Sequence, residues 1–509
     1  MSEPLMMNRR GLVAYLAGMP LVLAGCQTPP SKVDFDQSAV ELKKDLDKLI
    51  KASEPVKGPI SLYEAMARAL KYNLDKQIEL MDEALKAKQL KVKRFDMLPG
   101  VVAGYGWNGR NNEAASRSKS LRTGNESLES STSSEQYNTT ADLTVSWDVL
   151  DFGLAYVRAR QQANEASIAL ERRRKVINRI IEDVRTAYWR AVSADRTFKR
   201  LVAVEAMAQK ALAQSAELEA RRIVSPLTVL SYQRDLLQVQ GEVQKLQREL
   251  TLSKIQLAAL MNLPPDTSYT LVLPDRTDVV PELPGSANEM IMVALRYRPE
   301  MHESELRQSS LELEKDAAFL RRLPSVKAIL GLNHDSNQFV YNNDWLSLSS
   351  RVSWNLISLF RGPAEREALD TELMVVHQRD LALTLAIMTQ THVARVRFIR
   401  LTQELNTNKR SQTVQSRITA LSRNGFKARS VSQQNLVREE MNDVLAEVRY
   451  DVAYADLQNA YANLYASMGL DNFDEDINDK MGIQAIAEKL EEHWQDRAST
   501  LPPMPVPKS

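Results

Sequence analysis

The chain has 509 residues with a single cysteine, and its 66 basic and 65 acidic side chains leave a formal net charge of +1. A nucleic-acid-binding protein would carry a large positive excess, so this balance argues against that class. One thiol also excludes an intrachain disulfide and a thiolate metal cage.

The N-terminal segment has the pattern of a secretory signal. Arg9 and Arg10 precede a mostly apolar run over residues 11–25, which is too short to be a convincing membrane-spanning helix. Small residues stand directly before the only cysteine, where a processing enzyme needs room. We therefore interpret residues 1–25 as a lipoprotein signal peptide.

The sequence around that cysteine, "LAGC", resembles the bacterial lipobox, in which the signal is cut before the cysteine and the cysteine is acylated. The alternative is a buried thiol in an uncleaved apolar helix. The basic flank and the missing partner cysteine favour a covalent lipid, palmitate included, on Cys26. Gln27 resembles the signal for transfer to the outer membrane. Residues 26–58 would tether the lipid to the body, with a modest helix near residues 39–51.

The chain repeats itself. "SLYEAMARAL" from Ser61 recurs as "SANEMIMVAL" from Ser286, and "VSWDVL" from Val145 recurs as "VSWNLI" from Val352. We expect two structural repeats, residues 59–284 and 285–470, each made of a helix, a strand pair and long helices. The first repeat carries an extra stretch of residues between its two strands.

The helical segments are unusually long. A helical pattern without proline runs from about Phe152 to Ile223, which is much longer than a globular helix and indicates coiled-coil or tubular packing. Apolar residues then recur every seven positions. The predicted buried row in the first repeat is Val229, Leu236, Val243, Leu250 and Leu257, and the weaker matching row in the second is Leu436, Asp443, Tyr450, Leu457 and Leu464.

Strands are predicted near residues 100–108 and 140–150 in the first repeat, and near 325–333 and 345–356 in the second. Alternation of apolar and polar residues over about ten positions is typical of a transmembrane β-barrel, although a soluble amphipathic sheet has the same period. The predicted lipid-facing residues are Leu143, Val145, Trp147, Val352 and Trp354.

Three further segments complete the chain. Residues 109–138 are rich in Ser, Asn and Glu, and we expect a mobile surface loop there. Beyond Cys26 no run approaches the roughly 18 apolar residues of a membrane helix, so a crossing would have to use strands. Residues 471–509, with an amphipathic stretch near 484–495, are expected to wrap around the waist of the molecule or to form a tail.

Four strands are too few to seal themselves against lipid. Unpaired backbone groups in a bilayer are costly, and the smallest familiar membrane barrels use about eight strands. Several copies must therefore pool their strands.

The order of the signal, helices and strands along the chain resembles one family. The lipobox, the two helix–strand–strand–helix–helix halves, the "ALKYN" and "ALRYRPE" openings and "AALMNLPP" after the heptads look like the TolC/OprM family over residues 60–470. The resemblance implies a mainly α fold with a small β part. In it, an α-barrel of long helices continues into a transmembrane β-barrel, with four strands per chain, and trimerisation completes both.

The resemblance also implies where the channel is gated. The helix turns near residues 220–230 and 422–436 would be the periplasmic tips, and Gly425 resembles the tip glycine, a suitable place for a left-handed cap. The family's acidic position is occupied by neutral residues here, while several basic residues lie close by. The gate candidates are Arg222, Thr228, Arg423, Gly425, Lys427, Arg429 and Asn435; the basic ones would either favour anions or simply face solvent or an adaptor.

The function implied is a passive, lipid-anchored outer-membrane duct with its helical body in the periplasm. Its partners would be two further copies of the chain, a periplasmic membrane-fusion adaptor, an inner-membrane pump and outer-membrane lipid. Alternatives are the outer-membrane duct of type I protein secretion and a non-conducting periplasmic coiled-coil scaffold. No nucleotide, hydrolase or metal motif occurs, so we expect no enzyme, metal or soluble cofactor.

Overall fold

The computed structural model describes residues 34–51, 53–221, 225–264, 267–277, 280–471, 481–497 and 501–502. The expected signal peptide, Cys26 and Arg222 lie outside these residues. The chain divides into two compact units, residues 1–54 and 55–509. The first unit contains helix α1 (Phe35–Lys51), which covers the predicted helix.

The second unit begins with the first repeat. Its elements are α2 (Leu62–Tyr72), α3 (Leu74–Phe95), β1 (Gly100–Gly109), β2 (Ala115–Ser116), β3 (Ser131–Thr132), β4 (Tyr137–Asp148), α4 (Val149–Ala220) and α5 (Pro226–Leu260). Helix α4 contains 72 residues and is therefore about 108 Å long at 1.5 Å per residue.

The second repeat has the same order. Its elements are α6 (Ala287–Tyr297), α7 (Pro299–Leu320), β5 (Ser325–Asp335), β6 (Asp344–Ser353), α8 (Ile357–Lys427) and α9 (Gln433–Ser467), after which comes α10 (Ile483–Arg497). The lengths match helix for helix: α2 and α6 have 11 residues, α3 and α7 have 22, and α5 and α9 have 35. The predicted repeat is thus present in the backbone.

The helices begin where polar side chains satisfy their free N–H groups. The Ser61 and Ser286 hydroxyls accept hydrogen bonds from the amides of Glu64 and Glu289, at 3.1 and 3.3 Å. A second start follows one residue after α2, where the Asn73 side chain accepts from the amides of α3. In each repeat one residue separates the 11-residue helix from the 22-residue helix: Asn73 lies between α2 and α3, and Arg298 lies between α6 and α7.

The four main strands form one antiparallel sheet in the order β1-β4-β5-β6. The helices that continue these strands contact one another in the same order, α3, α4, α7 and α8. Each strand therefore extends into a helix, and the sheet and the helical layer have corresponding edges, β1 with α3 and β6 with α8.

The coiled-coil prediction is confirmed. All five residues of the first predicted row, from Val229 to Leu257, are buried where α5 packs on α4. In the second row Leu457 and Leu464 are buried, whereas Asp443 is partly exposed and accepts a hydrogen bond from the Ser416 hydroxyl at 2.6 Å. The second seam is more polar at this end, as expected.

The long helices α5 and α9 end in the same way, each with a residue in the left-handed conformation. Asn262 has φ +56° and Gly469 has φ +73°. The Leu470 amide donates to Tyr465 O, and the Gly469 amide donates to Ala466 O, as in a Schellman cap. A Cβ at Gly469 would lie 2.7 Å from the backbone carbonyl of Tyr297, so the end of α9 lies directly against the junction between α6 and α7.

Helix α10 holds the two repeats together at this level. Ile486 and Leu490 pack into the hydrophobic cluster that includes α2, and the Trp494 ring packs beside Tyr465 of α9 at 5.5 Å. The C-terminal segment therefore packs on the body here. The Arg185 guanidinium stacks on Trp494.

Arg185 also forms a buried ion pair. Its guanidinium lies 2.8 Å from Asp471, and the two side chains are 3% and 0% exposed. Removal of one partner would leave the other charge buried without its counterion.

The bounds of two strands and the polar loop differ from the sequence expectations, and β4 begins at Tyr137, three residues earlier than predicted. Strand β4 ends at Asp148, because that side chain caps α4 from its N terminus, and β6 ends at Ser353. Residues 109–138 contain the two-stranded ribbon β2–β3, and the Asn337 side chain bonds to the backbone at Ser133 and Glu135. The polar loop is thus folded on itself, because local backbone pairing does not need an apolar core. None of the helices in the described part of the chain has an apolar stretch sufficient to span a bilayer.

Gly469 provides a test of the helix junction. We expect Gly469→Ala to lower the free energy of unfolding by about 2 kcal/mol or more, because it adds a left-handed Cβ and a contact with backbone atoms. Thermal unfolding in detergent, followed by circular dichroism, measures the change. Gly241→Ala is the control, since Gly241 lies inside α5 with open space around its Cα; equal melting temperatures for the two variants would contradict the proposed contact.

Candidate functional site

One face of the sheet is apolar across all four strands. The register aligns Val101, Val145, Leu330 and Leu348 in one row and Ala103, Leu143, Leu332 and Leu346 in the next. Because side chains alternate between the faces of a strand, each row lies on a single face. The sequence alternation in separate strands thus combines into one continuous surface.

This apolar face is the exposed one. Along β5 the exposed positions alternate with partly or fully buried ones, and the exposed set includes Val326, Leu330 and Leu332. On β6 the Leu348 side chain is 79% exposed. A soluble antiparallel sheet has the reverse arrangement, with its apolar face on the core, whereas transmembrane strands present apolar residues outward.

The opposite face is polar and hydrogen bonded. The Thr144 hydroxyl donates to Asp142 at 3.1 Å, and the Asn333 amide donates to the Ser347 hydroxyl at 2.9 Å. Gly331, between these groups, is buried. This face is therefore mainly polar and partly hydrogen bonded within the sheet, with Val102, Ile329 and Trp345 as its apolar exceptions.

Four of the five predicted lipid-facing residues lie on this surface. Leu143, Val145 and Trp147 share the apolar face of β4, and Val352 lies opposite Val326 on β6. Trp354 lies just beyond β6, and its indole N–H donates to the carbonyl of Arg322 at 2.9 Å. It was expected in the strand because the alternation continues there, but that hydrogen bond holds it against the end of α7.

The sheet is open in the single chain. Strands β1 and β6 are its outer members, and neither pairs along its outer edge with a described strand. Open edges of this kind favour pairing with another chain.

The helical turn between α8 and α9 is the second region of interest. Ala428 caps α8, and Arg429 follows with φ +58°. The Ser430 amide donates to Gly425 O at 2.8 Å, and the Arg429 amide donates to Phe426 O at 3.0 Å, which together form a Schellman motif. The left-handed residue is therefore Arg429.

The expectation of a left-handed cap at Gly425 is wrong. Gly425 lies in the last turn of α8, where a Cβ would lie 2.5 Å from Cγ2 of Val431. The glycine is needed because Val431 folds back over the helix end. Its sequence position suggested a cap, but close packing explains the residue.

The basic residues at this turn differ in their contacts. Arg423 forms an ion pair with Glu440 at 2.9 Å. Lys427 and Arg429 are exposed, and neither forms an ion pair with any residue that the structure describes. Asn435 is exposed in the first turn of α9, and its backbone amide donates to the Ser432 hydroxyl at 3.2 Å. Lys427 and Arg429 are thus the charges that this turn leaves for external contacts.

The end of α4 and the start of α5 lie beside the start of α9. Thr228 is exposed in the first turn of α5, which Pro226 begins. A cavity of about 290 Å³ separates the end of α4 from α9. Its walls include Ser215, Leu218, Arg221, Tyr232, Gln433 and Val437. The described ends of α4 and α5 thus lie at the same end of the helical layer as the α8–α9 turn.

Sequence reasoning missed one surface. Helix α3 exposes Leu74, Ile78, Met81, Leu85 and Val92, and α8 exposes Met374, Leu381, Leu385 and Met388. Both sets follow the three- and four-residue spacing of a coiled-coil seam. The spacing was present in the sequence, but only the structure shows that these seams are uncovered.

Several solved structures share this architecture, and they include outer-membrane channels. The outer-membrane channel OprN superposes with a TM-score of 0.63 at 16% identity, over 80% of this chain and 89% of its own. The open Neisseria gonorrhoeae MtrE channel gives 0.61 at 17% identity, over 80% and 88%, and the Campylobacter jejuni CmeC channel gives 0.61 at 13%, over 92% and 97%.

This chain has the outer-membrane channel fold. The predicted resemblance to the TolC/OprM family is confirmed at the level of architecture, including the long helices and the small sheet. No protein-family model matches the sequence, and no curated protein matches it either. Among the described residues no three His, Cys, Asp or Glu side chains form a metal-binding group.

The orientation of the sheet can be tested with two neighbouring residues. We expect Leu348→Arg to destabilise the membrane-inserted protein by about 2–4 kcal/mol, because it places a cation on the apolar exposed face. Ser349→Arg, on the opposite face, is expected to fold normally. The yield of folded protein in outer-membrane fractions measures both; a greater loss for Ser349→Arg would mean that the faces are reversed.

Proposed function

We propose that this protein is the outer-membrane channel of a tripartite efflux system. It would serve as a passive exit duct for small molecules that an inner-membrane pump delivers through a periplasmic adaptor. The observation that carries the proposal is the sheet, whose exposed face is apolar and whose hydrogen-bonded face is polar. Such a sheet suits lipid on one side and water on the other.

The channel is proposed to be a homotrimer. One chain supplies four strands with two open edges, and a lipid-exposed edge leaves backbone groups without hydrogen bonds. Pairing β1 of one copy with β6 of the next removes every edge when the ring closes. Three copies would make twelve strands, which is within the range of transmembrane barrels.

The helices support the same arrangement. The edge helix α3 lies under β1, the edge helix α8 lies under β6, and each has an uncovered apolar seam. Leu385 on α8 and Met81 on α3 are 65% and 69% exposed. The pairing of strands between copies would bring these two seams together, and burial of both would stabilise the ring by the hydrophobic effect.

Lipid on Cys26 would hold the N terminus at the outer membrane, and the opposite end would face the adaptor. The turn at Arg429, with its exposed basic residues, suits an adaptor contact or a charged constriction. Energy for transport would come from the pump, because the proposed role involves no chemical step. Efflux of small molecules is favoured over protein secretion, since lipidated members of the resembled family mostly serve efflux.

Conductance and solubility together test the function. Purified protein should form a trimer in detergent and produce discrete conductance steps in a planar bilayer. The variant Cys26→Ser should still need detergent, because the sheet itself enters lipid. A water-soluble, non-conducting Cys26→Ser protein would instead support the periplasmic scaffold.

Cargo can be tested in cells. A strain without the protein should become sensitive to small toxic compounds and recover when the protein is restored. Loss of a secreted protein with unchanged sensitivity would point to the secretion duct.

The seam on α3 provides a separate test of assembly. We expect Met81→Glu to weaken the trimer at least tenfold, because it would place a carboxylate in the apolar contact between copies. Ala87→Glu is the matched control, since Ala87 is exposed on the side of the same helix that faces away from the seam. Mass photometry over a dilution series measures the trimer fraction; identical dilution curves for the two variants would argue against the seam as the contact.

A further inference from the structure

Two grooves lie at equivalent positions in the two repeats. The first has a volume of about 480 Å³ and lies where the end of α5 meets the start of α3 on α4. Its lining is Asn73, Asp183, Thr186, Ala187, Arg190, Gln256, Ala259 and Leu260. The second has a volume of about 590 Å³ and lies where the end of α9 meets the start of α7 on α8.

The internal repeat relates the linings residue by residue. Every residue of the first groove has its counterpart in the wall of the second, and Arg190 corresponds to Arg397. The counterparts in the second groove are Arg298, Gln390, Val393, Ala394, Arg397, Asn463, Ala466 and Ser467. The two grooves thus share one architecture.

Two of these substitutions change charge in the same direction. Asn73 is replaced by Arg298, and Asp183 is replaced by Gln390, so the second groove gains a cation and loses an anion. The two new residues contact each other, because the Arg298 guanidinium donates to the Gln390 amide oxygen at 2.5 Å. The second groove has therefore become more basic at one place.

Helix α4 adds further charge to the second groove. Lys175 and Arg179 line its other wall, and Arg179 pairs with Asp75 at 3.2 Å. Lys175 and Arg397 form no ion pair with any residue in the described ranges. Two cations from different helices therefore line one groove without a direct ion pair, and their nearest acidic neighbours there are Glu300 for Lys175 and Glu182 for Arg397.

The acidic residues of the groove reduce this charge only in part. Glu300 is engaged by Arg298 through two hydrogen bonds of 3.1 Å. Burial raises the pKa of Glu300, but these bonds and the charge of Arg298 outweigh it and hold the pKa below its usual value. For Glu182, partial burial and then the charges of Asp183 and Asp471 raise the pKa above its usual value, against the opposing charges of Arg185 and Arg397.

The remaining lining suits an apolar body and a hydrogen-bonding head. Ala460, Ala466 and Val393 form much of the wall. The amide oxygens of Asn178 and Asn463 are buried and have no hydrogen-bond partner within the described residues. Since the two ends of an amide can exchange by a flip, each group can offer an N–H to an acceptor.

We propose that the groove between α4, α8 and the α9–α7 junction binds an amphiphilic organic anion, with its carboxylate between Lys175 and Arg397 and its apolar body on the alanine-lined wall. The volume lies within the range of small-molecule sites. The first-repeat groove has Asp183 in place of Gln390 and is not expected to share this preference. The site is complete within one chain and does not depend on assembly.

Calorimetric titration with three naphthalene derivatives of matched shape tests the proposal. The full-length protein in neutral detergent should bind naphthalene-2-carboxylate, whereas the neutral carboxamide and the cationic 2-naphthylmethylammonium should bind at least tenfold more weakly. Heats from titration into empty micelles are subtracted. Equal affinity for the three compounds would overturn the proposal.

Variants locate the site. Arg397→Gln and Lys175→Gln should each weaken carboxylate binding about tenfold, which corresponds to the loss of one charge-assisted contact. Gln390→Asp, which restores the acidic residue of the first groove, should also weaken it. Arg190→Gln is the matched control, because it removes the equivalent arginine from the other groove and should leave the affinity unchanged.

The outcomes separate this site from the channel function. If Arg190→Gln and Arg397→Gln weaken binding equally, the anion does not distinguish the grooves and the assignment is wrong. If wild-type protein conducts in a bilayer but shows no saturable carboxylate binding, the inference fails while the proposed duct stands. Melting curves of each variant show whether a lost signal comes from lost folding.

Discussion

The structure depends on one constraint, the pairing of backbone groups in a sheet whose exposed side is apolar. The apolar rows through Leu330 and Leu332 cannot remain in water without cost, and the open edges of β1 and β6 cannot remain in lipid without cost. A single copy satisfies neither condition. In the proposed trimer, membrane insertion would cover the apolar face and association with further copies would pair the open edges, so the two steps would be linked.

The long helices follow from the same sheet. Strand order β1-β4-β5-β6 is preserved below the sheet as α3, α4, α7 and α8, so the helical layer inherits both the order and the open edges. The exposed seam of α3 around Met81 and that of α8 around Leu385 are then the helical counterpart of the unpaired strands. In the proposed trimer, the same contacts between copies would join both the sheets and the helical layers.

Much of this fold was predictable because it rests on short-range periodicity. The row from Val229 to Leu257 was predicted because a seven-residue apolar spacing is typical of a packed helix seam, and strand β4 was predicted by alternation. The conformation of Arg429 was not predictable, since a left-handed arginine breaks the usual preference for glycine. The position of Trp354 depends on a carbonyl more than 30 residues away, which no local pattern contains.

The repeat explains why two grooves exist, but not why they differ. Each long helix ends with a left-handed residue, Asn262 in the first repeat and Gly469 in the second. The backbone at this junction therefore has the same conformation in both repeats. The side chains of the groove walls are not constrained in this way. Asn73 and Arg298 differ in charge, yet each precedes its helix with nearly the same backbone angles. Charge could therefore change in one half alone. Arg298 and Gln390, which replace Asn73 and Asp183, contact each other, and this is consistent with a second groove that holds a ligand that the first does not.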